Sequence, residues 1–224
     1  MIWGRGQCEA DTMTTKLIRR TILTAPISTA VAAISLLGFL GYQIVGLSNA
    51  QWFALQTGDM STPLLWYRFL TYSFVPAIAL HWIWNSALLV LVGMVIEKRL
   101  TKAYVLSTIV ASSVLGGLLI CAFYRTQTIF FGMGFTTNAY IGCLFACYLA
   151  DKDKLRKPER LLAGVLLILK LVHLGVGLAW IKYGMNSALL KSVILVASFL
   201  VTWKMCGTVS RFVSNRRTSG TQLS

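Results

Sequence analysis

His81 is one of two histidines in the chain, and it lies on a strongly apolar run with Asn85 four residues later. That spacing stacks the two side chains one turn apart on a single helical face. Hydrocarbon penalises both groups, so they are expected to point into the protein, either bonding a neighbouring helix or presenting an imidazole and an amide to a bound group. The second histidine, His173, lies one turn after Lys170, and Lys191 lies one turn after Ser187. A lysine with a pKa lowered by burial can serve a hydroxyl as base. The plainer reading is a lysine that snorkels or pairs. Lys170, His173 and Lys191 are therefore read as buried polar or partner-facing groups, because a mid-membrane lysine facing lipid costs roughly 3 kcal/mol. Cys143 and Cys147 at i, i+4 read as packing, and Cys8, Cys121 and Cys206 lie apart from them. No disulfide, metal or cofactor is expected.

These groups need a scaffold, and composition says which kind. At 56% hydrophobic and a mean hydropathy of +0.69, the chain is too apolar for an ordinary soluble domain and fits one membrane unit. Six runs approach the ~20 residues that cross a ~30 Å hydrocarbon core: Ile27–Leu47, Pro76–Ile96, Tyr104–Tyr124, Ile129–Ala150, Leu161–Ile181 and Met185–Met205. This gives a basic tail over 1–25, a membrane domain over 26–206 and a second basic tail over 207–224. The net charge of +14 is a topology signal and not a nucleic-acid footprint. Of the 21 Lys and Arg, Arg68, Arg125 and Lys182 fall on one side, Lys170 and Lys191 lie inside predicted helices, and all the others fall on the opposite side. Six spans with that bias put both termini on the cytoplasmic or matrix side. The first 25 residues carry Glu9 and Asp11 among their basic residues and show no small-residue cleavage site, so a retained N-terminus is expected.

From Trp66 the order is Trp66-Tyr67-Arg68, Thr71-Tyr72, His81-x-x-x-Asn85 and Gly93-x-x-x-Glu97. This order resembles the first loop and second transmembrane helix of the rhomboid superfamily, where an aromatic-Arg pair, H-x-x-x-N and G-x-x-x-E follow one another. The resemblance implies an all-α integral membrane protein, a rhomboid-like six-transmembrane-helix bundle. It implies that the long loop from Ser48 to Val75 is partly embedded, anchored by Arg68 and Glu97, and that His81 and Asn85 occupy oxyanion-type positions. Trp52, Phe53, Trp66 and Tyr67 in that loop read equally well as an interfacial aromatic belt. Gly116-Gly117 in the third run permits close packing.

Rhomboid proteases carry G-x-S-G early in their fourth helix, with the serine as nucleophile, and a histidine base on the sixth helix in H-x-x-G-x-x-x-G. Here the corresponding stretch reads Gly134-Phe135-Thr136-Thr137-Asn138-Ala139-Tyr140, with Thr136 in the serine position. Its extra methyl restricts the hydroxyl and crowds an approaching carbonyl. Thr136-Thr137-Asn138 also reads as polar packing. Counting on, Asn186 takes the histidine position, with Leu189 and Val193 for the glycines. An amide accepts no proton at neutral pH, so the resemblance implies a degenerate site, as in the rhomboid pseudoproteases that include the derlins. The expectation is a catalytically inactive protein that binds membrane lipids and transmembrane helices of other subunits or clients. It would belong to a hetero-oligomeric assembly, a mitochondrial inner-membrane translocase or a respiratory or ATP-synthase complex. A derlin-like role in endoplasmic reticulum export stands second, and derlins generally lack the H-x-x-x-N kept here. An active protease using Thr136 or Cys143, with His173 or Lys191 as displaced base, is the alternative from another class. A solute path through Lys170, His173 and Lys191 lacks the inverted repeat that transporters show.

Overall fold

The computed structural model describes residues 21, 23–50, 52–57, 66–124, 129–150, 155–179 and 192–204; for residues 45, 47–50, 171 and 173–179 the description is of the backbone. In chain order these form α1 (Pro26–Ala50), strand β1 (Leu55–Gln56), a short α2 (Arg68–Thr71) running into a 3₁₀ turn (Tyr72–Phe74), and α3 (Ala79–Ile96). Then come α4 (Lys102–Phe123), strand β2 (Ile129–Phe130), α5 (Gly134–Ala150), α6 (Lys157–Ala179) and α7 (Ser192–Lys204). Each of the six expected runs contains helix among the described residues, which in the last is the shorter Ser192–Lys204. Among the described residues, Pro26–Ile44 within α1, α3 and α4 are long and apolar enough to cross a membrane.

Local chemistry sets the ends of these helices. The first run keeps its register until Gly46, whose φ of 74° breaks the helical path. The second was expected from Pro76 but starts at Ala79: Val75 precedes proline and Ile78 is extended, so the helix cannot begin earlier. Thr101 caps α4 by accepting from the Tyr104 N–H at 3.3 Å. The fourth run was expected from Ile129. Instead Ile129 and Phe130 form β2, paired antiparallel with β1 as Leu55 with Phe130 and Gln56 with Ile129, and Gly132 at φ 98° turns the chain into α5. The apolar run alone did not separate strand from helix there. Arg156 precedes α6, and the Glu159 carboxylate reaches back to accept from its N–H at 3.0 Å, a one-sided cap with Pro158 harmless in the first turn.

At the centre is α5, buried at every residue from Gly134 to Cys147. Around it pack α3, α4 and α6, while α1 lies against α3 and the 3₁₀ turn. One core holds Leu89, Val92, Ile96, Val105, Ile141 and Leu144; a second holds Leu55, Tyr72, Ile120, Phe135 and Ala139 beneath the β1–β2 ribbon. The outside is studded with apolar residues such as Ile44, Leu80, Val172 and Leu200, while Ser28, Ser35, Ser73, Ser113, Thr136 and Thr202 are inside. That is the arrangement of helices solvated by hydrocarbon and joined by small polar contacts.

Candidate functional site

Thr136 stands in the first turn of α5 with its side chain 1% exposed. Its hydroxyl shares a 3.2 Å hydrogen bond with Ser113 of α4. Ser73, in the 3₁₀ turn, donates to the Ser113 hydroxyl at 3.0 Å, and the Tyr72 hydroxyl donates to the Ser113 carbonyl at 3.1 Å. Either hydroxyl of the Ser113–Thr136 pair can donate, because accepting from Ser73 uses only one of the two lone pairs on the Ser113 oxygen; in both senses the Thr136 hydroxyl is engaged inside the protein. Beside it Thr137 donates to the Met133 carbonyl at 3.1 Å and Asn138 to the Gly134 carbonyl at 2.6 Å. Helix backbone therefore absorbs both neighbouring polar groups, as the packing reading expected. Ser73 and Ser113 were not singled out from sequence. The available signal was Ser112-Ser113 one turn before Gly116-Gly117 in a membrane-grade helix.

Those glycines receive aromatic rings. A Cβ at Gly116 would lie 2.5 Å from Phe135 and 2.8 Å from the Tyr72 hydroxyl, and one at Gly117 would lie 2.5 Å from Phe69. The rings pack close on α4 one turn after Ser113, and Ser73, Ser113 and Thr136 are themselves buried.

His81 and Asn85 do not both turn inward as expected. Asn85 is buried, and its amide donates to the His81 carbonyl at 2.8 Å within the same helix. The His81 side chain is exposed, close to the turn at Gly132, where a Cβ would lie 4.0 Å from its Cε1. With the α3 start at Ala79, His81 stands in the first turn of the helix.

Arg68 anchors the preceding loop, as expected. Nearly buried, it donates through Nε to the Trp52 carbonyl at 3.2 Å and through Nη1 to Gln56 at 3.1 Å. Tyr67 donates to the same Trp52 carbonyl at 2.5 Å, and Thr71 to the Phe53 carbonyl at 3.0 Å. The loop is thereby held against α2 while Trp52, Phe53, Trp66 and Tyr67 keep exposed faces. Those exposed aromatic faces suit an interfacial belt.

Glu97 is the correction in this motif, for among the described residues its partners are at the start of α1 and not in the loop. Its two carboxylate oxygens accept from the Ile27 N–H at 3.0 Å, from the Ser28 N–H at 2.8 Å and from the Ser28 hydroxyl. A carboxylate on the unsatisfied amides of a helix start is favoured by both the hydrogen bonds and the helix dipole. Gly93, one turn earlier, makes room: a Cβ there would lie 2.0 Å from the Ser28 hydroxyl. The G-x-x-x-E motif is a latch between α3 and the beginning of α1.

At the other positions, Lys170 lines a cavity between α5, α6 and α7. His173 lies on α6 in the part described by backbone, and Asn186 and Lys191 lie outside the described residues. Cys143 is buried and accepts from the Thr202 hydroxyl of α7 at 3.2 Å, while Thr202 and Tyr104 of α4 share a 2.7 Å bond. Near the start of α6, Arg99 and Arg156 meet Glu159 at 3.3 and 3.1 Å. Partial burial pushes the Glu159 carboxyl up, but the Arg156 N–H and guanidinium, with Arg99 beyond them, outweigh it and hold the carboxyl below its ordinary value.

A family model described as the Rhomboid domain matches residues 63–188, more than half of the chain. No curated protein matches it. The matched stretch takes in the Arg68 clamp, the Gly93–Glu97 latch and the buried Thr136, and on that match the chain belongs to the rhomboid family.

Proposed function

We propose that this protein is a catalytically inactive rhomboid that works as a structural or client-binding subunit of a large membrane complex. The observation that carries this reading is Thr136, 1% exposed and bound to Ser113. A nucleophile needs a path for the substrate carbonyl and a base within hydrogen-bond reach of its proton. Asn186, at the base position by residue count, brings an amide. The latch and clamp are kept, so the scaffold outlives the chemistry. In this reading the six apolar segments all span the membrane with both termini on the basic side, and the inner mitochondrial membrane is the favoured compartment. Partners are transmembrane helices and lipid.

Native electrophoresis after mild detergent extraction, with mass spectrometry of the comigrating proteins, tests the subunit reading. A discrete assembly far above 24.7 kDa is expected, and a free monomer would overturn it. For the chemistry, purified protein should not cleave a transmembrane substrate above background, and Thr136→Ala should change nothing. Turnover that disappears in Thr136→Ala would establish an active protease instead.

A further inference from the structure

A slot of about 190 Å³ runs along the outside of the bundle between α4 and α7. Its α4 wall goes from Tyr104 to Leu115, a separation of ~16 Å along the helix axis. That is the depth of one leaflet, half of a ~30 Å hydrocarbon layer. A partner's transmembrane helix needs a seat through both leaflets and is ~10 Å across, too wide for a slot below the ~300 Å³ at which ligand pockets begin. A single acyl chain matches both the length and the width.

The chemistry of the wall agrees. Ser107 and Thr108 donate to the Tyr104 carbonyl at 2.8 and 2.9 Å, and Ser112 donates to the Ile109 carbonyl at 3.0 Å. With these hydroxyls engaged on α4 itself, the slot presents a surface suited to hydrocarbon, completed by Leu115, Ala197 and Val201.

Charge decides which lipid. The Tyr104 and Thr202 hydroxyls share a 2.7 Å bond that pins the start of α4 to the end of α7. Lys102 lies two residues before Tyr104 and Lys204 two residues after Thr202, both exposed, so the Tyr104 end of the slot is its cationic end. Lys204 also interacts within the fold. Neither α4 nor α7 contains an Asp or Glu. Trp203, 43% exposed beside Lys204, marks the level at which aromatic side chains meet headgroups.

We infer that this slot binds one anionic phospholipid of the leaflet on the basic side, its acyl chain lying between α4 and α7 and its headgroup at Lys102. This gives the lipid of the proposed function a place and a charge, and rests on that reading.

The test uses the full-length protein in phosphatidylcholine vesicles that carry a trace of either phosphatidylglycerol or phosphatidylcholine with a photoreactive diazirine midway along one acyl chain. Labelled peptides are then mapped by mass spectrometry. Labelling of residues 107–115 and 197–201 by the phosphatidylglycerol probe should exceed that by the phosphatidylcholine probe by about tenfold. Lys102→Gln should cut the preference to about twofold, since one lysine at an anionic headgroup weighs about fivefold, and Lys102→Arg should keep it. Lys157→Gln, at the basic start of α6 and outside the slot, should leave the preference unchanged. Ala111→Trp, which fills the slot and leaves the charge, should lower labelling by both probes. Equal labelling by the two probes, labelling spread evenly over the outer faces of the other helices, or a loss in Lys157→Gln as large as in Lys102→Gln would overturn the inference. Native size separates the two levels: an intact assembly without the preference defeats the lipid site alone, whereas a free monomer that keeps it defeats the subunit reading and supports the site.

Discussion

Glu97 carries more of the architecture than any other single side chain described. It gathers two backbone amides and a hydroxyl from the beginning of α1. Charged hydrogen bonds of this kind contribute roughly 1.5–3 kcal/mol each when a partner is removed. Glu97→Ala should therefore cost at least ~2 kcal/mol, with Glu97→Gln costing less because one oxygen still accepts; thermal unfolding in detergent measures both. Gly93→Ala should destabilise by about 1–3 kcal/mol through overpacking against Ser28, with no loss of charge. In the sequence, Gly93, Glu97 and Arg68 were legible as a motif, but the role of Glu97 was not. Its partners Ile27 and Ser28 are some seventy positions away in an unremarkable stretch, and nothing local in G-x-x-x-E says which helix start it will bind. The exposure of His81 was equally hidden, since the i, i+4 spacing puts it on the Asn85 face but says nothing of how deep in the bundle that end of the helix lies.

At the scale of elements, α5 is held by contacts that leave no slack. A Cβ at Gly142 would lie 2.3 Å from the Leu195 carbonyl, so α7 lies backbone to backbone on α5 and covers Cys143. Gly142→Val should push α7 away, and labelling of Cys143 by a membrane-permeant maleimide should speed up by an order of magnitude or more. Protein in which Cys143 stays as slow to react as before would contradict that packing. The α6 start responds to acid. Because the Glu159 carboxyl is held below its ordinary value, its stabilisation is present above the usual carboxylate range and is lost as pH falls through the lowered value. Unfolding measured between about pH 6 and pH 3 should show a loss that Glu159→Gln does not show. The long apolar segments behind these helices were readable from composition. The conversion of Ile129-Phe130 into β2 was not, because a short apolar run has no period that tells strand from helix before its pairing partner is known.

For the whole molecule, two of the long-range ties among the described residues close at different moments of its synthesis. The α1–α3 latch joins Ser28 to Glu97, and the ribbon joins Leu55 to Phe130. A nascent chain ending at Tyr124 already owns both halves of the latch but lacks β2 entirely. Loop closure of this kind orders assembly, since a contact can form only after its later residue exists. Chains stalled there should protect α1 and α3 from protease, with the segment from Trp52 to Thr57 held by the Arg68 clamp alone, and extending them past Met133 should slow cleavage of that segment further. The ribbon is thus the later of the two ties, a pairing that waits until the chain has reached the residues just before α5.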